Sequence, residues 1–387
     1  MPDLPFLPFA VPDLTEAEAD AVAQVVRDGW INTGPRAKAF ETEFAAAVGA
    51  KHAVAVNSCT AALHVACEAL GLHAGDEVLV PTMTFTSTAA VAWHLGARPV
   101  LVDIRPDDET IDLDAAERAV TPRTKLIAPV HFAGQPCDLD NVLDLARRKN
   151  LRVVEDAAHA FPASYHGRPI GTFGDVSCFS FYSTKTITCV EGGMACTEHD
   201  ELAARMRIMA LHGISKDAWK RYTAEGSWYY EVLAPGYKYN LTDLAAAMGR
   251  VQLSRAREML ARRTAIAERY LAAFASHDAL VCPTVHPDRT TSWHLFVLRL
   301  RLEALALTRE KFIDELKARG IGTSVHYIPL HLHPAYRDAF GYKPGDFPVA
   351  EEAYRRTISL PIFSKMTDDE VQRVVDAVTD LARTHRR

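Results

Sequence analysis

Residues 139–159 read LDNVLDLARRKNLRVVEDAAH. The first half, Leu139–Lys149, brings apolar residues to one face at a spacing of three to four, which predicts a helix. The apolar run Arg152–Val154 that follows predicts a short buried strand. Short buried strands that alternate with helices are typical of parallel sheets covered on both faces. We therefore expect this stretch to be one unit of an α/β fold.

The same alternation recurs on both sides of this stretch. Further apolar runs rich in Val and Ile lie at Ala53–Val56, Val78–Val80, Pro99–Val102, Leu126–Val130, Ser177–Phe181 and Met194–Thr197. Further helical patterns lie at Glu16–Asp28, Ala61–Leu70, Ser87–Leu95 and Glu201–Leu211. Together these patterns predict an α/β domain built on a mostly parallel, seven-stranded sheet.

A long helical pattern runs from Thr242 to about Ser276. It opens with capping residues, and its later half is charged, as expected of a helix that leaves the core toward a second domain. We place the boundary along it, with a large domain at 14–260 and a smaller C-terminal α+β domain at 261–387. The smaller domain would contain the segment Trp293–Leu302 and the helices Arg309–Arg319 and Asp368–His385.

The composition excludes several classes of protein. The chain has 387 residues, of which 48% are hydrophobic and 24% charged, and a net charge of -6. Acids and bases are interspersed, so the chain lacks the basic stripe that binds nucleic acid. No apolar run is long enough to predict a membrane span, and the cysteines form no CxxC pair, as is usual in a reducing compartment. We expect a cytoplasmic protein that binds neither nucleic acid nor membrane.

Two strand ends carry residues suited to chemistry. Asp156 follows the strand Arg152–Val154, and ligands of open parallel sheets bind at the carboxyl ends of strands. Asp156 could equally cap the next turn. Lys185 follows the apolar run Ser177–Phe181, where burial would lower its pKa and free the amine to form a Schiff base. A solvated surface lysine is the alternative, although Ser180, Ser183 and the Gly192-Gly193 pair favour a site.

A third stretch, Asn57-Ser58-Cys59-Thr60, follows a strand and opens a helix. Unpaired backbone N–H groups and hydroxyls at such a helix start can bind a phosphate group. Because Ser and Thr cap helices in many proteins, a purely structural cap is an equal alternative from these residues alone.

Taken together, these motifs resemble the DegT/DnrJ/EryC1/StrS family of sugar aminotransferases, a branch of the fold-type I enzymes that use pyridoxal 5'-phosphate (PLP). The resemblance covers nearly the whole chain. The matching segments, in chain order, are 29–35, 81–85, 155–158, 180–185, 191–193, 236–243 and 325–327.

The resemblance implies a role for each matching residue. Lys185 would bind PLP covalently and Asp156 would pair with the pyridine nitrogen, because a carboxylate there keeps that nitrogen protonated. Phe85 and Ala158 would flank the two faces of the ring and hold its plane. Ser180 and Thr60 would bind the phosphate. Ser58 and Cys59 complete the cofactor set beside Thr60, with Cys59 standing where glycine is common.

Two further features follow from the resemblance. His159 stands where many relatives have glutamine next to the phenolic oxygen of PLP, and we expect it to act there as a titrating group. The Gly236–Asp243 segment matches a loop that reaches the phosphate site of a second subunit, so a homodimer with shared active sites is expected. Either Lys238 or Asn240 would make that contact, and the sequence leaves the choice open.

The function implied is transfer of an amino group, from L-glutamate by family analogy, to a nucleotide-linked keto sugar by a ping-pong mechanism. His326 and His331 would contact the substrate, and Gly236–Asn240 resembles the form found with 4-keto sugars, either a 4-keto-6-deoxyhexose or a 4-ketopentose. The alternatives are a 3-keto sugar, a cyclitol, or a non-catalytic regulatory protein of the same fold.

Other classes lack their motifs. The chain has neither the glycines of a P-loop or Rossmann fingerprint nor the G-x-S-x-G of serine hydrolases. The histidines at 326, 331 and 333 have no acid or cysteine ligand near them in sequence, so no metal site is expected.

Overall fold

The computed structural model describes residues 5–215 and 229–387. Helices span α1 (Glu16–Asp28), α2 (Pro35–Val48), α3 (Cys59–Ala69), α4 (Ser87–His94), α5 (Leu113–Ala119), α6 (Leu139–Lys149), α7 (Asp200–Met209), α8 (Asp243–Phe274), α9 (Arg309–Ala318), α10 (Pro334–Phe340), α11 (Pro348–Arg356) and α12 (Asp368–Thr384). Strands span β1 (His52–Val56), β2 (Glu77–Pro81), β3 (Arg98–Val102), β4 (Thr124–Ile127), β5 (Arg152–Asp156), β6 (Ser164–Tyr165), β7 (Arg168–Pro169), β8 (Val176–Ser180), β9 (Gly193–Thr197), β10 (Leu280–Val281), β11 (Arg289–Thr290), β12 (Phe296–Leu300) and β13 (Thr357–Leu360).

A seven-stranded sheet of order β1-β9-β8-β5-β4-β2-β3 forms the centre of the molecule. The strands from β8 to β3 are parallel to one another, whereas β9 is antiparallel to both β1 and β8. The prediction of an α/β fold on a mostly parallel, seven-stranded sheet is confirmed. The parallel strands also end at one edge of the sheet, which is where such folds bind ligands.

Both faces of this sheet are buried by helices, which explains why its strands are apolar on both sides. On one face, Phe44 of α2 contacts Phe179 of β8 and Phe181, with ring centroids 5.1 and 5.2 Å apart. On the other face, α3 packs with residues such as Leu63 and Val65 fully buried. Full burial of one such side chain contributes about 1.5–3 kcal/mol to stability, so these contacts stabilise the packing of the helices on the sheet.

The helix α2 begins without a capping side chain of its own. Its N-cap is Gly34, and the carboxylate of Asp243, the first residue of α8, accepts hydrogen bonds from the backbone N–H groups of Gly34, Arg36 and Ala37 at 2.8, 3.1 and 2.9 Å. A negative charge at a helix N-terminus also interacts favourably with the helix dipole and so stabilises the helix. Asp243 therefore joins the start of one helix to the start of another.

The long helix α8 was expected from the sequence, and Thr242 caps it by accepting a hydrogen bond from Ala245 N at 3.2 Å. It packs against α1 and α2 and, further along, against α12. Beyond it, a three-stranded sheet of order β10-β12-β13 shares a second core with α9 and α12. Residues 216–228 of the large domain expected at 14–260 lie outside the described residues.

The N-terminal segment joins that second core. Leu7 is buried in it, its backbone N–H donates to Gly320 O at 2.8 Å, and Gly322 N donates to Leu7 O at 2.8 Å. Leu7 thereby forms a parallel bridge with Ile321. The segment around Leu7 is thus built into the C-terminal part of the structure.

Within the described residues, none of the helices combines the length and the apolar character that a transmembrane span requires.

Candidate active site

A cavity of about 400 Å³ lies at the carboxyl edge of the parallel strands. That volume is in the range of pockets that enclose small molecules. Its lining consists of Ser58, Cys59, Thr60, Thr84, Phe85, Ser87, Val130, Asp156, Ala158, His159, Ser180, Tyr182, Thr184, Lys185, Glu191, Gly192, His294, His326 and Tyr327. Most of the residues singled out in the sequence are thereby brought together in one place.

Asp156 is the last residue of β5, and its carboxylate is buried in the cavity wall. Oδ2 accepts a hydrogen bond from Thr88 Oγ1 at 2.6 Å, and Oδ1 accepts one from Ala158 N at 3.1 Å. Thr84 Oγ1 lies 2.8 Å from Thr88 Oγ1 and extends the chain of hydroxyls. These contacts fix the orientation of the carboxylate, and they show that Asp156 is more than a turn cap.

Lys185 lies in the loop after β8, with its side chain inside the cavity. Burial lowers the pKa of the Lys185 amine to about 8, although the neighbouring Cys59 and Asp156 act in the opposite direction. A larger share of the amine is therefore neutral near pH 7 than in a solvated lysine. A neutral amine is the form that attacks a carbonyl group.

The start of α3 forms one end of the cavity. Ser58 is the N-cap of this helix and accepts a hydrogen bond from Ala61 N at 3.0 Å, and Cys59 and Thr60 form its first turn. A Cβ atom at Gly193 would collide with the backbone of Ser58 and Cys59, so the glycine permits the close approach of β9. With Ser180 at the end of β8, this helix start offers N–H groups and hydroxyls to an anion.

Phe85 and Ala158 lie on the walls of the same cavity. The Phe85 ring is 56% exposed, and its centroid lies 6.1 Å from that of Tyr327. A desolvated amine, an oriented carboxylate, a helix start suited to phosphate and an apolar ring therefore surround one space. This set fits PLP, and these residues would hold its aldehyde, pyridine nitrogen, phosphate and ring face.

His159 is buried beside this set, and its Nε2 atom lies 3.0 Å from the hydroxyl of Tyr327. Nδ1 of His159 is buried and has no hydrogen-bond partner within the described residues, so it remains available to a bound group. Burial, with the nearby charge of Lys185, lowers the pKa of His159 well below its usual value. The structure thus argues against the expectation that His159 titrates near neutral pH.

The two histidines expected at the substrate are placed differently. His326 lines the cavity, and its Nδ1 atom lies 2.8 Å from Ser359 Oγ, which orients the ring. His331 is fully buried outside the cavity lining, with its two ring nitrogens 2.8 Å from Thr82 Oγ1 and 3.0 Å from Glu351 Oε1. Since both nitrogens are engaged in these contacts, His331 lies away from the substrate cavity, contrary to the expectation from sequence.

Lys238 and Asn240 do not line the cavity of their own chain. Lys238 is exposed, whereas the side-chain amide of Asn240 donates a hydrogen bond to Thr33 Oγ1 at 2.5 Å. Asn57 Nδ2 lies 3.4 Å from the backbone oxygen of Lys238, which anchors the segment near the start of α3. Any contact of either side chain with a phosphate would have to be made with another copy of the chain.

Sequence reasoning missed several residues that line the cavity or support its wall from behind. Thr88 and His294 carry the contacts to Asp156 and Lys185, and neither belongs to a motif that singles it out. Tyr327 follows His326 in a matching segment, and that proximity was a usable signal.

The described residues contain one cluster with the spacing of a metal site, at Asp107, Asp108 and His286. Both carboxylates already face Arg105, whose Nη2 atom lies 2.8 Å from Asp107 Oδ2 and whose Nε atom lies 3.7 Å from Asp108 Oδ1. Because an arginine in that position neutralises the two carboxylates, we interpret the cluster as an ion-pair network and not as a metal site.

The geometry agrees with comparisons to known proteins. A model of the DegT/DnrJ/EryC1/StrS aminotransferase family matches residues 12–379. The spore coat polysaccharide biosynthesis protein SpsC of Bacillus subtilis (strain 168) is 50% identical over 381 residues, which cover 98% of this chain and 97% of SpsC.

Solved structures give the same result. Spr1654 of Streptococcus pneumoniae, a proposed sugar aminotransferase, is solved in forms containing PLP and its aminated counterpart PMP. The PMP form has a TM-score of 0.92 at 35% identity and covers 98% of this chain and 99% of its own. DesV of S. venezuelae has a TM-score of 0.88 at 36% identity, again with 98% and 99% coverage.

Proposed function

The chain belongs to the DegT/DnrJ/EryC1/StrS aminotransferase family and is a PLP-dependent sugar aminotransferase, and from that premise we propose that it aminates a nucleotide-linked keto sugar with L-glutamate as donor. The observation that carries the proposal is the desolvated amine of Lys185, which shares one cavity with the oriented carboxylate of Asp156. The proposed mechanism is ping-pong, with the donor and the acceptor using the same site in turn.

Several residues in and beside the cavity have a task in this mechanism. Bound PLP supplies a ring that accepts the electron pair left when the Cα proton departs. Asp156 holds a proton on the pyridine nitrogen, and Thr88 keeps that carboxylate in place. The amine of Lys185 would take up the proton from Cα of the donor and would later give a proton back at the aminated carbon of the acceptor. Ser180 and the start of α3 bind the phosphate.

The amine donor and the sugar would enter from the side where His326 and Tyr327 line the cavity. One fixed cofactor carbon can react only with the sugar carbon brought to it, so contacts to the sugar decide which carbon is aminated. The ring of His326, oriented by Ser359, offers a hydrogen bond that helps to set this orientation. With the Gly236–Asn240 segment, this supports amination at a 4-keto group of a 6-deoxyhexose or a pentose. SpsC, by its name, serves spore coat polysaccharide biosynthesis, and we place the product in polysaccharide assembly of that kind.

We also propose a homodimer in which the segment 236–243 of each chain reaches the other chain's phosphate site. A groove lined by apolar side chains such as Val22, Leu244 and Met248 lies beside the cavity. Glu191 lines both the groove and the cavity, so the two spaces are neighbours. A second copy seated on this groove would cover apolar surface and bring Lys238 or Asn240 to an anionic group.

The proposal is tested with Lys185→Ala and with defined substrates. The variant should remain folded but lose multiple turnover and the visible absorbance band of bound PLP that borohydride bleaches. A panel of nucleotide-linked keto sugars offered with L-glutamate, read by mass shift and product NMR, should give nitrogen at C4. Multiple turnover by Lys185→Ala at the unaltered rate would overturn the role of Lys185. Nitrogen at C3 or on a cyclitol would overturn the choice of acceptor, and an active monomer in light scattering would overturn the dimer.

A further inference from the structure

A buried histidine that belongs to none of the motifs above lies against the amine of Lys185. Nε2 of His294 is 3.3 Å from Lys185 Nζ. The His294 ring also packs against the ring of His159, with centroids 4.3 Å apart and an interplanar angle of 45°. His294 therefore contacts the amine on which the reaction depends and a second residue of the cavity wall.

The backbone on both sides of His294 is fixed to the large sheet's loops. Ser292 N donates a hydrogen bond to Gly134 O at 3.0 Å, and Leu295 N donates to Ala133 O at 3.1 Å. Side chains whose backbone is held on both sides keep their position while a substrate enters and leaves. The contact between His294 and Lys185 is therefore a built feature of the cavity.

The other ring nitrogen of His294 distinguishes it from a purely structural histidine. Within the described residues, Nδ1 of His294 is buried without a hydrogen-bond partner. In the buried His131, by contrast, Nδ1 accepts from Cys137 N at 3.2 Å, so its proton lies on Nε2, 3.0 Å from Glu155. That contact fixes the tautomer of His131, whereas no hydrogen bond in the described part of the chain fixes that of His294. Nε2 of His294 is thus able to accept a hydrogen bond or to donate one.

We infer that His294 is a positioning residue that holds the Lys185 amine at the reacting position in both of its protonation states. This rests on the proposed function, in which the amine takes up a proton and then gives it back. When Lys185 is an ammonium, Nε2 of His294 accepts one of its hydrogen bonds. When Lys185 is a neutral amine, the ring donates to it or accepts from it. Without this partner, the flexible lysine chain would spend less time in the reactive geometry.

The charges around the pair are compatible with this role. Asp156, Cys59, His159 and His326 face the Lys185 amine, and Arg263 lies near His294 from α8. Burial, and then the charge of Lys185, lowers the pKa of His294 well below its usual value, so the ring is neutral at pH 7. A neutral acceptor stabilises the ammonium, so its removal should lower the pKa of Lys185 further below about 8.

The first test measures that pKa directly in the cofactor-free protein. Lysines are reductively methylated with ¹³C-formaldehyde and titrated by NMR, and the Lys185 signal is identified by its absence in Lys185→Ala. His294→Phe keeps the ring volume and removes both nitrogens, and it should lower the pKa of Lys185 by about one unit. His294→Gln places an amide near the position of Nε2, so its Lys185 pKa should lie between those of the wild type and His294→Phe. His199→Phe, at an exposed position, is the matched control and should change nothing.

The second test separates positioning from substrate binding. In a single turnover with L-glutamate, His294→Phe should slow cofactor conversion roughly 10- to 100-fold with an unchanged dissociation constant for glutamate. A folded His294→Phe protein with an unchanged Lys185 pKa and an unchanged rate would overturn the inference. A larger dissociation constant for glutamate with an unchanged rate of cofactor conversion would also overturn the inference, because His294 would then be a substrate ligand. Since Lys185→Ala is measured alongside, failure here is distinguishable from failure of the proposed function.

Discussion

The buried hydroxyl of Thr88 lies 2.6 Å from Oδ2 of Asp156 and donates a hydrogen bond to it. Thr88→Val keeps the shape of the side chain but removes the donor, which leaves Ala158 N as the remaining hydrogen bond to this carboxylate within the described residues. Because a hydrogen bond to a charged group is worth about 1.5–3 kcal/mol, we expect affinity for PLP to fall roughly 10-fold or more, measured by absorbance titration.

Thr379→Val is the control for this substitution, because Thr379 Oγ1 contacts Val375 O within α12, away from the cavity. It should leave PLP affinity unaltered. Equal affinity of the wild type and Thr88→Val would show that Asp156 needs no support from Thr88.

The buried carboxylate of Glu109 should give the protein an unusual dependence of stability on pH. Its carboxylate is 95% buried with no hydrogen-bond partner within the described residues, and Arg299 Nε is 3.7 Å away. Burial raises the pKa of Glu109 from 4.5 to about 7, so the folded protein retains a proton that the unfolded chain releases between these values. The contribution of Glu109 to stability should therefore fall as pH rises from about 4.5 to about 7, and this loss persists above pH 7.

Glu109→Gln cannot ionise, so it should gain about 1–3 kcal/mol over the wild type at pH 8 and nothing at pH 4, as measured by urea denaturation. Glu268→Gln removes the same charge from an exposed position on α8 and serves as the control. If Glu109→Gln changed stability equally at both pH values, the buried carboxylate would have no part in the pH dependence.

His159 should leave the colour of the bound cofactor insensitive to pH near neutrality. Since burial keeps the pKa of His159 well below its usual value, the ring is neutral at pH 7 and above. We expect His159→Gln to change the position of the absorbance band without moving the midpoint of its pH titration. A midpoint that disappears on substitution would identify His159 as the titrating group.

Asp243→Asn should destabilise the protein although the residue contacts no part of the cavity. The carboxylate accepts hydrogen bonds from Gly34, Arg36 and Ala37, and an amide replaces one accepting oxygen with a donor. We expect a loss of about 1–3 kcal/mol, seen as a lower unfolding midpoint. Asp314→Asn, at an exposed position on α9, should leave the midpoint within error.

The strands and several helices could be predicted because their signals are local. The helix α6 begins and ends where its apolar spacing indicates, and the buried strands β5 and β8 follow from their runs of Val, Phe and Cys. The residues proposed to bind the cofactor could be named because they belong to ordered motifs. In each case the information lies within a few neighbouring residues.

The misses have a common physical cause, which is that the deciding partner lies far along the chain. The helix α2 was not predicted because its capping carboxylate is Asp243 and Gly34 itself offers no side chain. The sequence wrongly predicts that His331 contacts the substrate, because its sequence neighbours do not reveal that Thr82 and Glu351 engage its ring. The contact of His294 with Lys185 likewise becomes visible only once both segments are placed in space.

The bridge between Leu7 and Ile321 has a consequence for the order in which the protein can be completed during synthesis. Leu7 leaves the ribosome early, but the backbone that pairs with it and the core that buries it are made only when translation has passed Ile321. Until then this apolar segment cannot form its native contacts, so it stays exposed to solvent or is bound by a chaperone. The C-terminal core expressed alone from residue 261 would lack the segment around Leu7, and supplying residues 5–14 as a separate peptide should rescue it.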